Sequence, residues 1–176
     1  SETQAVIRKT ILNSAKLLVI DADGLNAFKG KVNMLRKLRM SAILTPHAGE
    51  FVRLFGGLTP KTESDRKKRA LEIAKQFKVV LVLKGHHTIV ASPNGEVHMN
   101  QTGNPGMATG GSGDVLTGII AAMTGQKIEP FKAACFGVYI HGLAGDLAAK
   151  EKGETSMVAS DIIDCLPFAF GKVLKK

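Results

Sequence analysis

Hydrophobic and polar positions change period several times along the chain, and each change marks an element. Over residues 3–14, Val6, Ile7 and Ile11 recur at helical spacing. Leu17 to Ile20 is a short unbroken apolar run, the signature of a strand buried on both faces. Residues 31–39 read as a helix with Val32, Leu35 and Leu38 inward and basic residues outward, and 42–45 as a strand stopped by Pro46. Residues 49–55 form a short helix ended by Gly56-Gly57. From 62 to 77 runs an amphipathic helix, capped by Thr62 and lined by Ala70, Ile73, Ala74 and Phe77.

The period then drops to two. Residues 79–83 are a strongly apolar strand, and 88–91 and 96–99 flank Ser92-Pro93-Asn94-Gly95, a hairpin signal. Three helices follow, at about 114–124, 130–150 and 160–174, the last capped by Ser160 and kinked at Pro167. Strands alternating with helices predict a three-layer α/β/α domain: a mostly parallel sheet, helices on both faces, an antiparallel hairpin at one side. One domain spanning 1–176 fits, with no repeat or linker.

Composition narrows the class without naming a reaction. Hydrophobic residues make up 44% and charged residues 22% of the 176, ordinary globular usage. No apolar run approaches the ~20 residues that span a bilayer, and the first residues lack a signal-peptide core. Cys135 and Cys165 lack metal spacing and read as buried thiols of a reducing, cytoplasmic setting. The formal charge is +9, and the excess lies before residue 84, where 16 Lys+Arg face 7 Asp+Glu. Arg66-Lys67-Lys68-Arg69 carries much of it. Such a face could bind a nucleic acid backbone, but one Tyr and no Trp leave few stacking platforms, which favours solvated helix faces or attraction of an anionic small molecule.

The chemistry concentrates between Thr102 and Leu116. Five glycines lie between positions 103 and 113, directly before an apolar helix. Glycine lets backbone N–H groups turn inward, and the helix N-terminus adds positive partial charge, so the pair suits an anion. Neither G-x-x-x-x-G-K-[ST] nor a βαβ G-x-G-x-x-G is present. Asp114 would repel a bound phosphate, which points to a general base beside the anion; a glycine-rich loop with a helix-capping acid is the alternative. His47 and Glu50 share a helical face, and Lys84 follows a buried strand. Both are open to structural readings, as a satisfied histidine and a solvated hairpin-edge lysine.

The run GNPGMATGGSGDVLTG resembles the ADP/ATP-dependent NAD(P)H-hydrate dehydratases of the ribokinase-like superfamily. Asp21-Ala22-Asp23-Gly24-Leu25-Asn26, Thr45-Pro46-His47-Ala48-Gly49-Glu50 and Lys84-Gly85-His86-His87-Thr88 fit the same family, colinearly along the chain. The resemblance implies a ribokinase-like fold that dehydrates hydrated NADH or NADPH. A hydroxyl is phosphorylated by ADP or ATP and phosphate is then lost; the bacterial and archaeal character of the run favours ADP. It implies Asp114 as base and substrate contact, with His47, Ala48, Gly49, Glu50, Asp23 and Asn26 on the substrate side. Lys84, Gly85, His86, His87 and Thr88 would line the nucleotide site. Asn104, Gly110, Gly111, Ser112 and Gly113 would join them, the glycines donating N–H groups to the transferred phosphoryl. Glu50 would position magnesium through water. His86 and His87, as successive strand residues pointing to opposite faces, would not hold a metal. A homo-oligomer, an epimerase domain or partner on the same substrate, and further βα units before the first strand are expected too. A ribokinase-like kinase for a sugar or vitamin precursor shares GGSGDVL and is the rival reading.

Overall fold

The computed structural model describes residues 1–57 and 62–174. Five strands, β1 (Leu18–Ile20), β2 (Ala42–Leu44), β3 (Val80–Leu83), β4 (Ile89–Ala91) and β5 (Val97–Met99), form one sheet in sequential order. β1–β2 and β2–β3 pair in parallel, β3–β4 and β4–β5 antiparallel, so every strand but β4 points the same way. β1, whose sequence reads as central, pairs among the described residues with β2 alone.

Alternation along these strands separates two cores. Ile20, Leu44, Leu81 and Ile89 face one side, where α1 (Glu2–Asn13), α2 (Ala22–Asn26), α3 (Ala48–Phe55) and α4 (Glu63–Phe77) cover them, with Phe28 and Phe51 fully buried among them. Ile43, Val80, Val82 and Val90 face the other, against Leu116 and Ile120 of α5 (Ser112–Gly125) and Ala134 and Val138 of α6 (Pro130–Lys152). Outside these, α7 (Ala159–Leu174) lays Ile162, Cys165 and Ala169 on Ile140, Ala144 and Ala148 of α6. The two-residue period therefore builds the three-layer arrangement, each apolar face of the sheet needing a helical cover.

Local chemistry explains most boundaries. Thr62 caps α4, its Oγ1 accepting from the Asp65 N–H at 3.0 Å. The hairpin closes with Gly95 at φ 105°, its N–H donating to Ser92 O at 3.2 Å. Two expectations need correcting. Residues 31–39 give a 3-10 helix over Val32–Lys37, because Leu38 is already extended (φ −57°, ψ 131°) toward β2. Residues 22–26 form the short α2. α7 begins at Ala159, so Ser160 lies inside its first turn instead of capping it; Asp161 of the same turn accepts the N–H of Val158, the residue before the helix, at 2.8 Å. α7 continues through Pro167, whose missing N–H forfeits one helical bond without ending the helix. Both cysteines are free, and burial pushes Cys135 up to about 12, leaving an inert thiol.

The loop after β5 lies directly on α6. A Cβ on Gly142 would fall 2.1 Å from Thr102 Oγ1 and 2.7 Å from the Thr102 carbonyl carbon. Gly142→Ala should therefore force loop and helix apart and destabilise the fold by about 1–3 kcal/mol, read as a lower urea midpoint; an unchanged midpoint would show that the loop yields freely.

Candidate active site

Because four strands share a direction and β4 runs opposite, one end of the sheet gathers the residues that leave its strands. Asp21 follows β1, His47 comes after β2, Lys84 ends β3, Thr88 precedes β4 and Asn100 follows β5. All five line a cavity of about 900 Å³ that the N-terminus of α5 closes from the other side. Ligands in open α/β sheets bind at this end of the strands. Of the residues expected from sequence, His47, Ala48, Glu50, Lys84, Gly85, His86, His87, Thr88, Asn104, Gly111, Ser112, Gly113 and Asp114 line the cavity. Gly49, Gly110, Asp23 and Asn26 do not. Asp23 is exposed on α2, and Asn26 Oδ1 accepts from Arg53 Nη1 at 2.8 Å in a shallow groove beside Glu50.

The glycine-rich segment meets α5 through Gly111, which takes φ 88° as the N-cap. The N–H groups of Gly113 and Asp114 have no hydrogen-bond acceptor among the described residues, so the helix start presents free donors and positive partial charge. Asp114 is exposed on this first turn. Beneath it, Lys84 Nζ donates to both oxygens of Asp21, at 2.8 and 3.0 Å, and Thr117 Oγ1 donates to Asp21 Oδ2 at 3.1 Å. Lys84, expected as a phosphate-seeking charge, is thus already paired. The pair is also close under α5, since a Cβ on Gly113 would lie 3.3 Å from Lys84 Nζ.

His47 and Glu50 have structural work of their own. His47 Nδ1 accepts from the N–H groups of Gly49 (3.0 Å) and Glu50 (3.3 Å), while Glu50 Oε2 accepts the His47 N–H at 2.9 Å. This reciprocal capping box starts α3, with histidine where serine or threonine usually stands. His86 and His87 do not point to opposite faces as successive strand residues would: they lie in a turn before β4, His87 at φ 51°, and their rings stack 3.8 Å apart. His87 Nδ1 lies 2.5 Å from Glu63 Oε1, and this hydrogen bond, ahead of charge effects, holds the Glu63 carboxyl below its usual range. Arg66 Nη1 donates to His86 O at 2.5 Å, so α4 pins the turn from outside.

Asn100, His141 and Asp146, none of them singled out by the sequence, and Thr102 hold the site to α6. Asp146 Oδ2 accepts the Gly103 N–H and its Oδ1 accepts from Asn104 Nδ2, each at 3.0 Å. Asn100 Nδ2 donates to Val138 O at 3.2 Å, and Thr102 Oγ1 donates to Tyr139 O at 3.0 Å. His141, 9% exposed, shares a hydrogen bond with Ser112 Oγ at 3.3 Å. Their signal was present: His141-Gly142-Leu143-Ala144-Gly145-Asp146 sets two polar side chains and two glycines on a largely buried helix. Buried polar groups need partners, and glycines there mark close approach.

The three-layer sheet and the glycine-rich helix start at the strand ends make this a ribokinase-like α/β protein. A family model described as NAD(P)H-hydrate dehydratase matches residues 1–168. The bifunctional NAD(P)H-hydrate repair enzyme Nnr of Moorella thermoacetica is 49% identical over 150 residues, covering 85% of this chain and 28% of the relative. The ADP-dependent (S)-NAD(P)H-hydrate dehydratase of Neisseria meningitidis is 37% identical, over 91% of this chain and 55% of the relative. The solved structure of the Bacillus subtilis ADP/ATP-dependent NAD(P)H-hydrate dehydratase, co-crystallised with ATP/Mg2+, superposes with a TM-score of 0.81 at 34% identity, over 97% of this chain and 59% of that one. The chain belongs to the NAD(P)H-hydrate dehydratase family. It spans between 28% and 55% of the length of these two curated relatives. No helix among the described residues is long and apolar enough to cross a membrane.

Two outcomes follow from the buried polar groups. Asp21→Ala leaves the mostly buried Lys84 ammonium without its counter-charge and should cost about 3 kcal/mol; adding Lys84→Met should recover much of that loss in urea titrations. Burial, with the Lys84 charge adding to it, pushes His141 down from 6.5 to about 4. Between those values the unfolded chain binds a proton that the native state refuses, so stability falls as pH drops from about 6.5 to about 4. The loss should be on the order of 3 kcal/mol and absent from His141→Gln when both are unfolded in urea at neutral pH and near pH 4.

Proposed function

We propose that this chain dehydrates hydrated NADH or NADPH at the expense of a nucleotide phosphoryl group, restoring the reduced cofactor. The supporting observation is the start of α5. Free N–H groups of Gly113 and Asp114, a carboxylate on the same turn and a buried Lys84–Asp21 pair beneath them border one cavity of about 900 Å³. A site of that size at the strand ends accommodates ligands of drug size or larger, as phosphoryl transfer between two partners requires.

The residues divide the work. The Asp114 carboxylate takes the proton from the hydrate's hydroxyl as that oxygen attacks the terminal phosphorus, whose bond to the nucleotide breaks. Free N–H groups at the helix start meet the charge that develops on the phosphoryl oxygens. Phosphate then departs from carbon with the bonding pair, and loss of the neighbouring proton restores the ring double bond. The nucleotide is ADP by preference, in keeping with the ADP-dependent relative from Neisseria meningitidis. Magnesium fits as an ion held mainly by phosphates and water. No cluster of three metal-ligating side chains exists among the described residues, while Asp114 and Glu50 border the cavity. Bound there, it would neutralise phosphate charge. An epimerase activity on the same substrate, which the bifunctional relatives suggest, is proposed as a neighbour in the same repair, and the chain as part of a homo-oligomer.

Mixing the protein with hydrated NADH and ADP, or ATP, should restore the near-ultraviolet absorbance of the reduced ring, ADP being consumed first when the two compete. A stable phosphorylated product would instead make it a kinase. Asp114→Asn should keep the fold and nucleotide binding but lower turnover by at least ~10²-fold, because the amide cannot accept the proton. A variant keeping more than about a tenth of the rate would remove Asp114 from the role of base.

A further inference from the structure

The turn leading into α5 is rich in glycine. Three of the four residues 110–113 are glycine, and each glycine adds backbone entropy that must be lost for the donors to point one way. Two backbone hydrogen bonds hold it, the Ser112 N–H donating to Thr109 O at 3.4 Å and the Val115 N–H donating to Gly111 O at 3.1 Å. Among the described residues one side chain from elsewhere hydrogen-bonds segment 108–114: His141 of α6, with Nε2 3.3 Å from Ser112 Oγ. Both partners are buried, Ser112 at 7% and His141 at 9% exposure. Five positions on, Asp146 of the same helix holds Gly103 and Asn104. The loop from 103 to 112 is thereby hitched to α6 at both ends. Asp146 secures the end before β5's loop turns, and His141 secures the end that carries the chemistry.

We infer that His141 is a positioning residue for the reaction proposed above: through Ser112 Oγ it holds the glycine turn so that the Gly113 and Asp114 N–H groups and the Asp114 carboxylate stand ready for the phosphoryl group. The inference deepens that functional reading and rests on it for its kinetic consequences. Its structural consequence, an ordered turn, is independent of the reaction. Order before binding is what makes fixed donors effective, since no free energy is then spent orienting them in the transition state.

The test compares His141→Ala, Ser112→Ala, their double variant and His141→Gln in the full chain. Each alanine variant should lower kcat by roughly 10–100-fold while KM for the hydrate stays within about threefold, because a misplaced donor penalises the transition state more than the ground state. The double variant should be no slower than the worse single one, since both remove the same hydrogen bond. His141→Gln, whose amide reaches the place of Nε2, should recover at least about a third of the lost rate. In parallel, backbone 15N order parameters at Gly111, Gly113 and Asp114 should fall from about 0.85 to below about 0.6 in His141→Ala and return in His141→Gln. Additive losses, a glutamine variant no better than alanine, or undisturbed order parameters would each overturn the assignment. If His141→Ala fails to fold, Ser112→Ala carries the same expectation, and wild-type rates and order in it overturn the inference. A wild-type chain without turnover would sink the functional reading, while the order parameters would still decide the role of His141.

Discussion

The cleft depends on how closely the loop after β5 approaches α6. Gly142 and Gly145 let Thr102 and Met107 sit where a methyl group would stand, at 2.1 and 2.2 Å from their nearest atoms. Val138 and Tyr139 offer carbonyls to Asn100 and Thr102, and His141 and Asp146 offer side chains to Ser112, Gly103 and Asn104. A glycine-rich segment has too little apolar surface to fold on its own. Here it is laid on a helix already fixed by the sheet on one side and α7 on the other, so the helix acts as its template.

Electrostatics at the strand ends follows from that geometry. The sheet brings Asp21 and Lys84, 63 positions apart, into a two-oxygen contact beneath the start of α5. Paired, they add little net charge to the cavity, and the positive character facing an anion comes from the helix start itself. The same lysine helps keep His141 neutral, so the buried histidine serves as a hydrogen-bonding group rather than a cation. His47 with Glu50, and His87 with Glu63, likewise spend their polar atoms fastening α3 and the turn before β4. Much of what looks like chemistry in the sequence is framework, and among the described acids that line the cavity Asp114 is the one without a side-chain hydrogen bond.

Legibility tracked the range of the interaction. Strand and helix periods are local, so the three layers, the hairpin and the Thr62 cap could be read before any fold was known. The glycine run before an apolar helix marks a helix start with unpaired N–H donors for the same reason: turn and helix start adjoin in the chain. The family motifs added which stretches converge, and the cavity collects most of them.

Partners far apart in sequence left no such trace. Nothing near Asp21 announces Lys84 or Thr117, and Asp23 and Asn26, which the family resemblance implies, are carried away from the cavity by the helical turn of α2. The His86–His87 pair was read with strand geometry, yet a positive φ at His87 stacks the rings instead. The residues around His141 mark a buried polar group but not the partner it meets, since Ser112 lies 29 positions earlier. Periodicity and capping are properties of neighbours along the chain and survive in the sequence. Which buried polar group meets which is settled by packing, because a donor or acceptor shut away from water must take whatever partner the neighbouring element presents.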